Sequence, residues 1–226
     1  GAGKEAVFEA QIRFTLEEHF RKQARLKPLG IKVLSLFFID RVDNYARQDG
    51  VIRRLFAKGF EELRGCYPDW CEAKPEAVQA AYFAQRRTKS GEVILEDSKT
   101  GEAEKDKEAY NLIMRDKERL LSFEEDGGPG VAFIFSHSAL REGWDSPNVF
   151  QICTLREVGT ERERRQQVGR GVRLAVNQAG ERVHDEKVNV LTVVANESYE
   201  KYVTGLQAQI EEEYGKEGVP PPPPNA

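Results

Sequence analysis

The sequence predicts an α/β domain, a parallel sheet flanked by helices and carrying a polar insertion. Three observations predict it. Four short apolar runs, Ile31–Asp40, Val131–Ser136, Val149–Leu155 and Val188–Ala195, lack regular apolar–polar alternation, as strands buried on both faces do. Helical patterns lie between them, the order of a parallel sheet with crossover helices. At 226 residues, 39% hydrophobic and 32% charged, the chain is long enough for one large domain, or for one domain with an insertion.

The elements follow in order. Lys4–Lys27 carries Phe8, Ile12, Leu16 and Phe20 four apart on one helical stripe, and Pro28 and Gly30 stop it. IKVLSLFFID, Ile31–Asp40, is the first strand, with Phe37 and Phe38 as core. Tyr45–Leu63 returns to helical spacing, so residues 1–64 form the first part of the domain. From Gly65 to Glu108 the pattern loosens, and SKTGEAEKDKE, Ser98–Glu108, is too polar to cover a core; 65–108 is predicted to be a solvated insertion. Tyr110, Ile113, Met114, Lys117, Leu120 and Leu121 then follow a helical period. GGPG, Gly127–Gly130, breaks the chain before the second strand, and the third and fourth strands complete a second part over 109–214. Residues 215–226, with five prolines from Pro220 to Pro224, predict a stiff linker or an end.

Composition excludes several classes. No apolar run approaches the roughly 18 residues of a membrane span, and the N-terminus lacks a signal-peptide layout, so a cytoplasmic location without membrane contact is expected. Three cysteines offer no disulfide framework, and Cys66 and Cys71 lack the spacing and histidine neighbours of a zinc site. They are expected to be packing thiols, and no metal ligand set is expected. With a net charge of −4, nucleic-acid binding must come from a local patch. GAGK at Gly1–Lys4 lacks the upstream glycine, the preceding strand and the following Ser or Thr of a phosphate loop.

Such a patch exists. Glu161–Arg173 holds five arginines against two glutamates, a local charge of +3. As a helix, this stretch would line up Arg162, Gln166, Arg170 and Arg173 on one face, with Gly169 leaving room for a ligand. Arginine forks suit phosphate oxygens, although a solvated basic face has the same pattern. Upstream, HSALREGWDSPN, His137–Asn148, forms a sharp loop after the second strand, where a doubly wound sheet keeps its ligands. Asp145 there could accept from a ribose or simply close the loop.

In this order, with one strand between them, the two loops resemble motifs V and VI of superfamily 2 helicases. REGWD, Arg141–Asp145, resembles the Gly-x-Asp of motif V, and QQVGRGVR, Gln166–Arg173, the Gln-x-x-Gly-Arg-x-x-Arg of motif VI. QIRFTLEEHF, IKVLSLFFIDRV, AYNLIMRDKERLLSF, SHSALREGWDSPNVFQICTL and VNVLTVVANESYE, spread from Gln11 to Glu200, together resemble the Res (restriction) subunit of type III restriction-modification enzymes. The resemblance implies a second RecA-like domain of an ATP-driven DNA translocase, with residues 31–40 as motif IV.

It also implies roles. Arg170 and Arg173 would reach ATP held, with Mg2+, mainly by a first RecA-like domain of the same parent chain, Arg173 being the arginine finger. Gln166, Gly169, Gly143 and Asp145 would lie near the nucleotide, and Ser136, Ser138 and Arg141 would face the DNA backbone. Double-stranded DNA and a modification methyltransferase are the implied partners. No strand here is followed by a Gly-rich loop with lysine and its acidic partners, and after Tyr214 no strand carries an acidic pair with a Glu-x-Lys, so this segment alone is expected neither to hydrolyse ATP nor to cleave DNA. An ATP-independent nucleic-acid-binding module, or a methyltransferase-docking module, is the alternative.

Overall fold

The computed structural model describes residues 2–83, 85–87, 93–95, 111–123, 128–137, 146–156, 166–171 and 173–195. Its centre is a five-stranded, wholly parallel sheet, as the apolar runs predict. In chain order its strands are β1 (Leu34–Ile39), β2 (Gln79–Tyr82), β5 (Phe133–Ser136), β6 (Val149–Leu155) and β9 (Thr192–Val194), and their spatial order is β2-β5-β1-β6-β9. Two antiparallel ribbons lie outside it, β3 (Gln85–Arg87) with β4 (Val93–Leu95) and β7 (Ala175–Val176) with β8 (Arg182–Val183).

The pleat sorts β1 between two layers. Phe37 and Ile39, with Phe133, Phe135, Cys153 and Leu155, face helices α1 (Ala2–Leu26) and α3 (Val51–Arg64). Leu34, Leu36 and Phe38, with Ile134 and Ile152, face the opposite layer, where Ile113 and Leu120 come from the helical residues 111–114 and from α4 (Lys117–Leu121). All six β1 residues are buried, and this double coverage explains the continuous apolar run.

The α1 stripe is as predicted, with Phe8, Ile12, Leu16 and Phe20 all buried. Gly30, at φ +68°, caps the following turn through its N–H to Lys27 O, a conformation glycine adopts without strain. Along the outer surface, Glu5, Glu9 and Arg13 of α1 pair with Arg54, Lys58 and Glu62 of α3 at a constant offset of 49 residues. A constant offset means that the two helices run parallel, as crossover helices on one face of a parallel sheet must. These exposed pairs align the helices and add little stability.

Several boundaries differ from the sequence reading. The helix expected over Tyr45–Leu63 is broken into α2 (Asp43–Ala46) and α3, because the chain turns sharply at Gly50, where a Cβ would clash with the Asn44 carbonyl. The strand expected from Val188 begins only at Thr192, since Asp185 draws the preceding residues into a turn by accepting from the N–H groups of Lys187, Val188 and Asn189. A fifth strand, β2, arises inside the stretch 65–108, and Trp70 from the same stretch is buried against Phe20, Phe60 and Phe133. Cys66 and Cys71 are exposed rather than packed; only Cys153 is buried, and burial raises its thiol pKa to about 12.

A buried polar chain joins α1 to the sheet. The Gln151 amide donates to Thr15 O at 3.2 Å and to Ser35 Oγ at 2.8 Å, and Ser35 Oγ lies 2.7 Å from His19 Nδ1. His19 is fully buried and its Nε2 has no partner, so burial, reinforced by Lys22 and Lys32, lowers its pKa to about 3. Lys22 donates to Phe150 O, Val190 O and Thr192 Oγ1, tying α1 to the beginnings of β6 and β9.

Candidate functional site

Functional groups gather at both ends of the sheet. At the carboxyl ends of the three central strands stand Asp40 after β1, His137 after β5 and Arg156 after β6. The chain leaves β1 through α2 and α3 towards the β2 edge, and leaves β6 towards the β9 edge. That divergence makes the crevice in which doubly wound sheets take ligands. Lys4, from the first turn of α1, reaches the Asp40 carboxylate at 2.7 Å, and Asn44 Nδ2 donates to its other oxygen at 2.7 Å. Burial raises the Asp40 carboxyl, but the bonds from Lys4 and Asn44 and the Lys4 charge outweigh it and hold the pKa below the ordinary value.

His137 Nε2 lies 3.1 Å from Asp40 O, and because a carbonyl only accepts, this nitrogen carries the hydrogen. Arg156 Nη1 in turn donates to His137 O at 2.8 Å, so its guanidinium is held at the carboxyl end of β5. Arg156 Nε is shielded from water and has no acceptor. Sequence reading missed this trio because its members lie on three different strands and form no short motif. The available signal was positional, a polar residue immediately after each apolar run.

At the amino-terminal end the basic segment arrives. Of the helix expected over 161–173, residues 166–168 are helical. The chain then tightens, with Arg170 N–H to Gln167 O and Gly171 N–H to Val168 O, and 169–171 form a turn. Arg173 therefore stands beyond the helix, exposed, and does not continue a helical stripe with Gln166 and Arg170. Gln166, Gly169 and Arg170 are half-buried. Gly171 packs so closely on Leu191 that a Cβ would collide with that side chain, which explains the second glycine. Neighbouring Gln167 is 1% exposed with both amide atoms unpaired, another residue the motif reading passed over.

Asn148 anchors the same end. At φ +66° it occupies a left-handed conformation that asparagine tolerates, and its amide accepts from Val176 N–H and donates to Val176 O, fixing β7 beside the start of β6. The connection 137–148 thus begins at the carboxyl edge and ends at the amino edge of the sheet. Ser136, at its start, is fully buried at the end of β5. Ser138, Arg141, Gly143, Asp145 and Arg162 lie outside the described residues. Among the described residues no group of three or more His, Cys, Asp or Glu is placed to hold a metal ion, and no helix is long and apolar enough to cross a membrane.

No family model matches the chain. It is homologous to Res subunits of type III restriction-modification enzymes. The StyLTI Res subunit of Salmonella typhimurium is 37% identical over 70% of this chain. The EcoP15I Res subunit of Escherichia coli and the EcoPI Res subunit of Escherichia phage P1 are each 34% identical over 80% of it. The matched segments make up 17% of the first relative and 19% of the other two, so the chain spans less than a fifth of their length.

Proposed function

We propose that the chain is the second RecA-like motor domain of a type III restriction enzyme, an ATP-dependent DNA translocase, with β2 and Trp70 of the 65–108 stretch built into its sheet and core. The observation that carries this reading is the Gln166–Arg173 segment. A glycine turn seated on Leu191 sets Arg170 and Arg173 at one end of a wholly parallel sheet. Two guanidinium groups a turn apart suit the oxygens of a transferring phosphoryl group. ATP and Mg2+ would be held mainly by a first RecA-like domain elsewhere in the parent protein and would supply the hydrolysable phosphoanhydride. Arg173 projects into the cleft between the domains as the finger, Arg170 supports it, and Gln166 and Gly169 flank the nucleotide.

The connection 137–148 favours a division of labour. By the resemblance to the helicase motifs, Ser138 and Arg141 would contact the DNA backbone, and Gly143 and Asp145 would serve the ribose. A loop that touches DNA near one end and nucleotide near the other couples the two states. Double-stranded DNA and the modification methyltransferase are the partners, in the cytoplasm, and cleavage belongs to another part of the parent protein.

The test is DNA-stimulated ATP hydrolysis by the full-length enzyme carrying Arg173→Ala. Turnover is expected to fall by roughly 10³-fold or more, the usual worth of an arginine finger, with unchanged thermal melting because the residue is exposed. Normal turnover by the folded variant rejects the assignment.

A further inference from the structure

We propose that Arg156, held on the His137 carbonyl in the crevice at the carboxyl ends of β1, β5 and β6, is a phosphate-binding subsite for the nucleic-acid backbone. The inference rests on the reading of the chain as a DNA motor and adds a contact outside both helicase motifs.

Four observations carry it. The first is place, because Arg156 follows β6 where the connections of β1 and β6 diverge, the position at which a sheet of this topology takes ligands. The second is pre-organisation. The bond from Nη1 to His137 O, and the bond from His137 Nε2 to Asp40 O, fasten the guanidinium to two neighbouring strands, so little side-chain freedom remains to be lost on binding.

The third is unspent donor capacity. Arg156 as a whole is half-buried, and its Nε is shielded without an acceptor, so the guanidinium keeps donor capacity that the Nη1 bond does not use. The fourth is charge. Asp40, to whose carbonyl His137 is bonded, is already engaged by Lys4 and Asn44, and among the described residues no carboxylate pairs with Arg156. Arg41 and Asp43 are exposed beside the crevice and offset one another. A bound phosphate therefore meets a guanidinium that no described acid neutralises.

Phosphate could come from DNA or from a nucleotide, and the two are separable. Binding of the full-length protein to a short labelled DNA duplex of arbitrary sequence, without ATP, is measured across a series of salt concentrations for the wild type and Arg156→Ala. Loss of one phosphate contact is expected to weaken binding roughly tenfold and to reduce the slope of log K against log salt by about 0.9. The Michaelis constant for ATP should not change.

An unchanged slope in the variant overturns the proposal, as does an unchanged slope with a raised Michaelis constant, which would make the subsite one for nucleotide. Should Arg156→Ala fail to fold, modification of wild-type Arg156 by an arginine-selective dicarbonyl reagent replaces it. Protection by DNA but not by ATP supports the subsite, and absence of protection by DNA overturns it. Failure of the motor reading has a different signature, normal ATP turnover in Arg173→Ala, which leaves the Arg156 salt slope where it was.

Discussion

Acidification should destabilise this chain through His19. The imidazole is fully buried beside Trp70, Phe20 and Phe133, with ring centroids 5.3, 6.1 and 4.2 Å away, and its one hydrogen bond is to Ser35. Burial lowers its pKa from 6.5 to about 3 in the folded state, whereas the unfolded chain titrates near the ordinary value. Between those values the unfolded state binds the extra proton, so stability is complete above about 6.5 and declines as pH falls towards 3. Each unit within the window costs about 1.36 kcal/mol. At about pH 4.5, two units below the unfolded value, the loss is on the order of 3 kcal/mol, a sizeable fraction of the roughly 5–15 kcal/mol that holds a domain together.

The assay is urea unfolding near neutral pH and near pH 4.5, for the wild type and for His19→Asn, whose amide faces Ser35 without titrating. Asparagine should destabilise the chain at both pH values, but the wild type should lose about 2–3 kcal/mol more on acidification than the variant. With a urea slope of roughly 1–3 kcal/mol per molar, the excess shift in midpoint is on the order of 1 M. Equal acid losses in the two proteins would refute the argument and transfer the acid sensitivity to the carboxylates.

The remaining predictions concern packing. Gly171→Ala should destabilise the chain by about 1–3 kcal/mol in thermal or urea unfolding, because the new methyl group meets Leu191, and should lower ATP turnover in the full enzyme by displacing the neighbouring arginines. Trp70→Ala should cost about 3–5 kcal/mol, since the ring is 1% exposed and packs on four aromatic groups; a loss below 1 kcal/mol would mean that the 65–83 segment is peripheral to the core.

Some features were legible in the sequence because they depend on local composition. A strand covered on both faces needs an uninterrupted apolar run, and β1, β5 and β6 each lie within one. A helix buried on one side needs a periodic stripe, and Phe8, Ile12, Leu16 and Phe20 supplied it. The density of arginine around Gly169 was likewise visible without coordinates. β2 was not legible, since Gln79–Tyr82 is four residues long with alternating half-burial, and its extended state comes from pairing with β5. Nor was the burial of Ser136, which the packing around the end of β5 imposes on a residue whose type carries no such requirement.

The sequence by itself determined that the chain is an α/β protein, which runs become its central strands, and where its positive charge concentrates. Those properties are set by residues adjacent in the chain or one helical turn apart. The tertiary structure alone decided the order β2-β5-β1-β6-β9, the meeting of Asp40, His137 and Arg156, and the placing of Asn148 beside Val176. The physical reason is strand pairing, since hydrogen bonds between strands distant in sequence carry no local signature. His137 lies 97 residues from Asp40 and 19 from Arg156, and only the parallel register of β1 with β5 and β6 brings the three together.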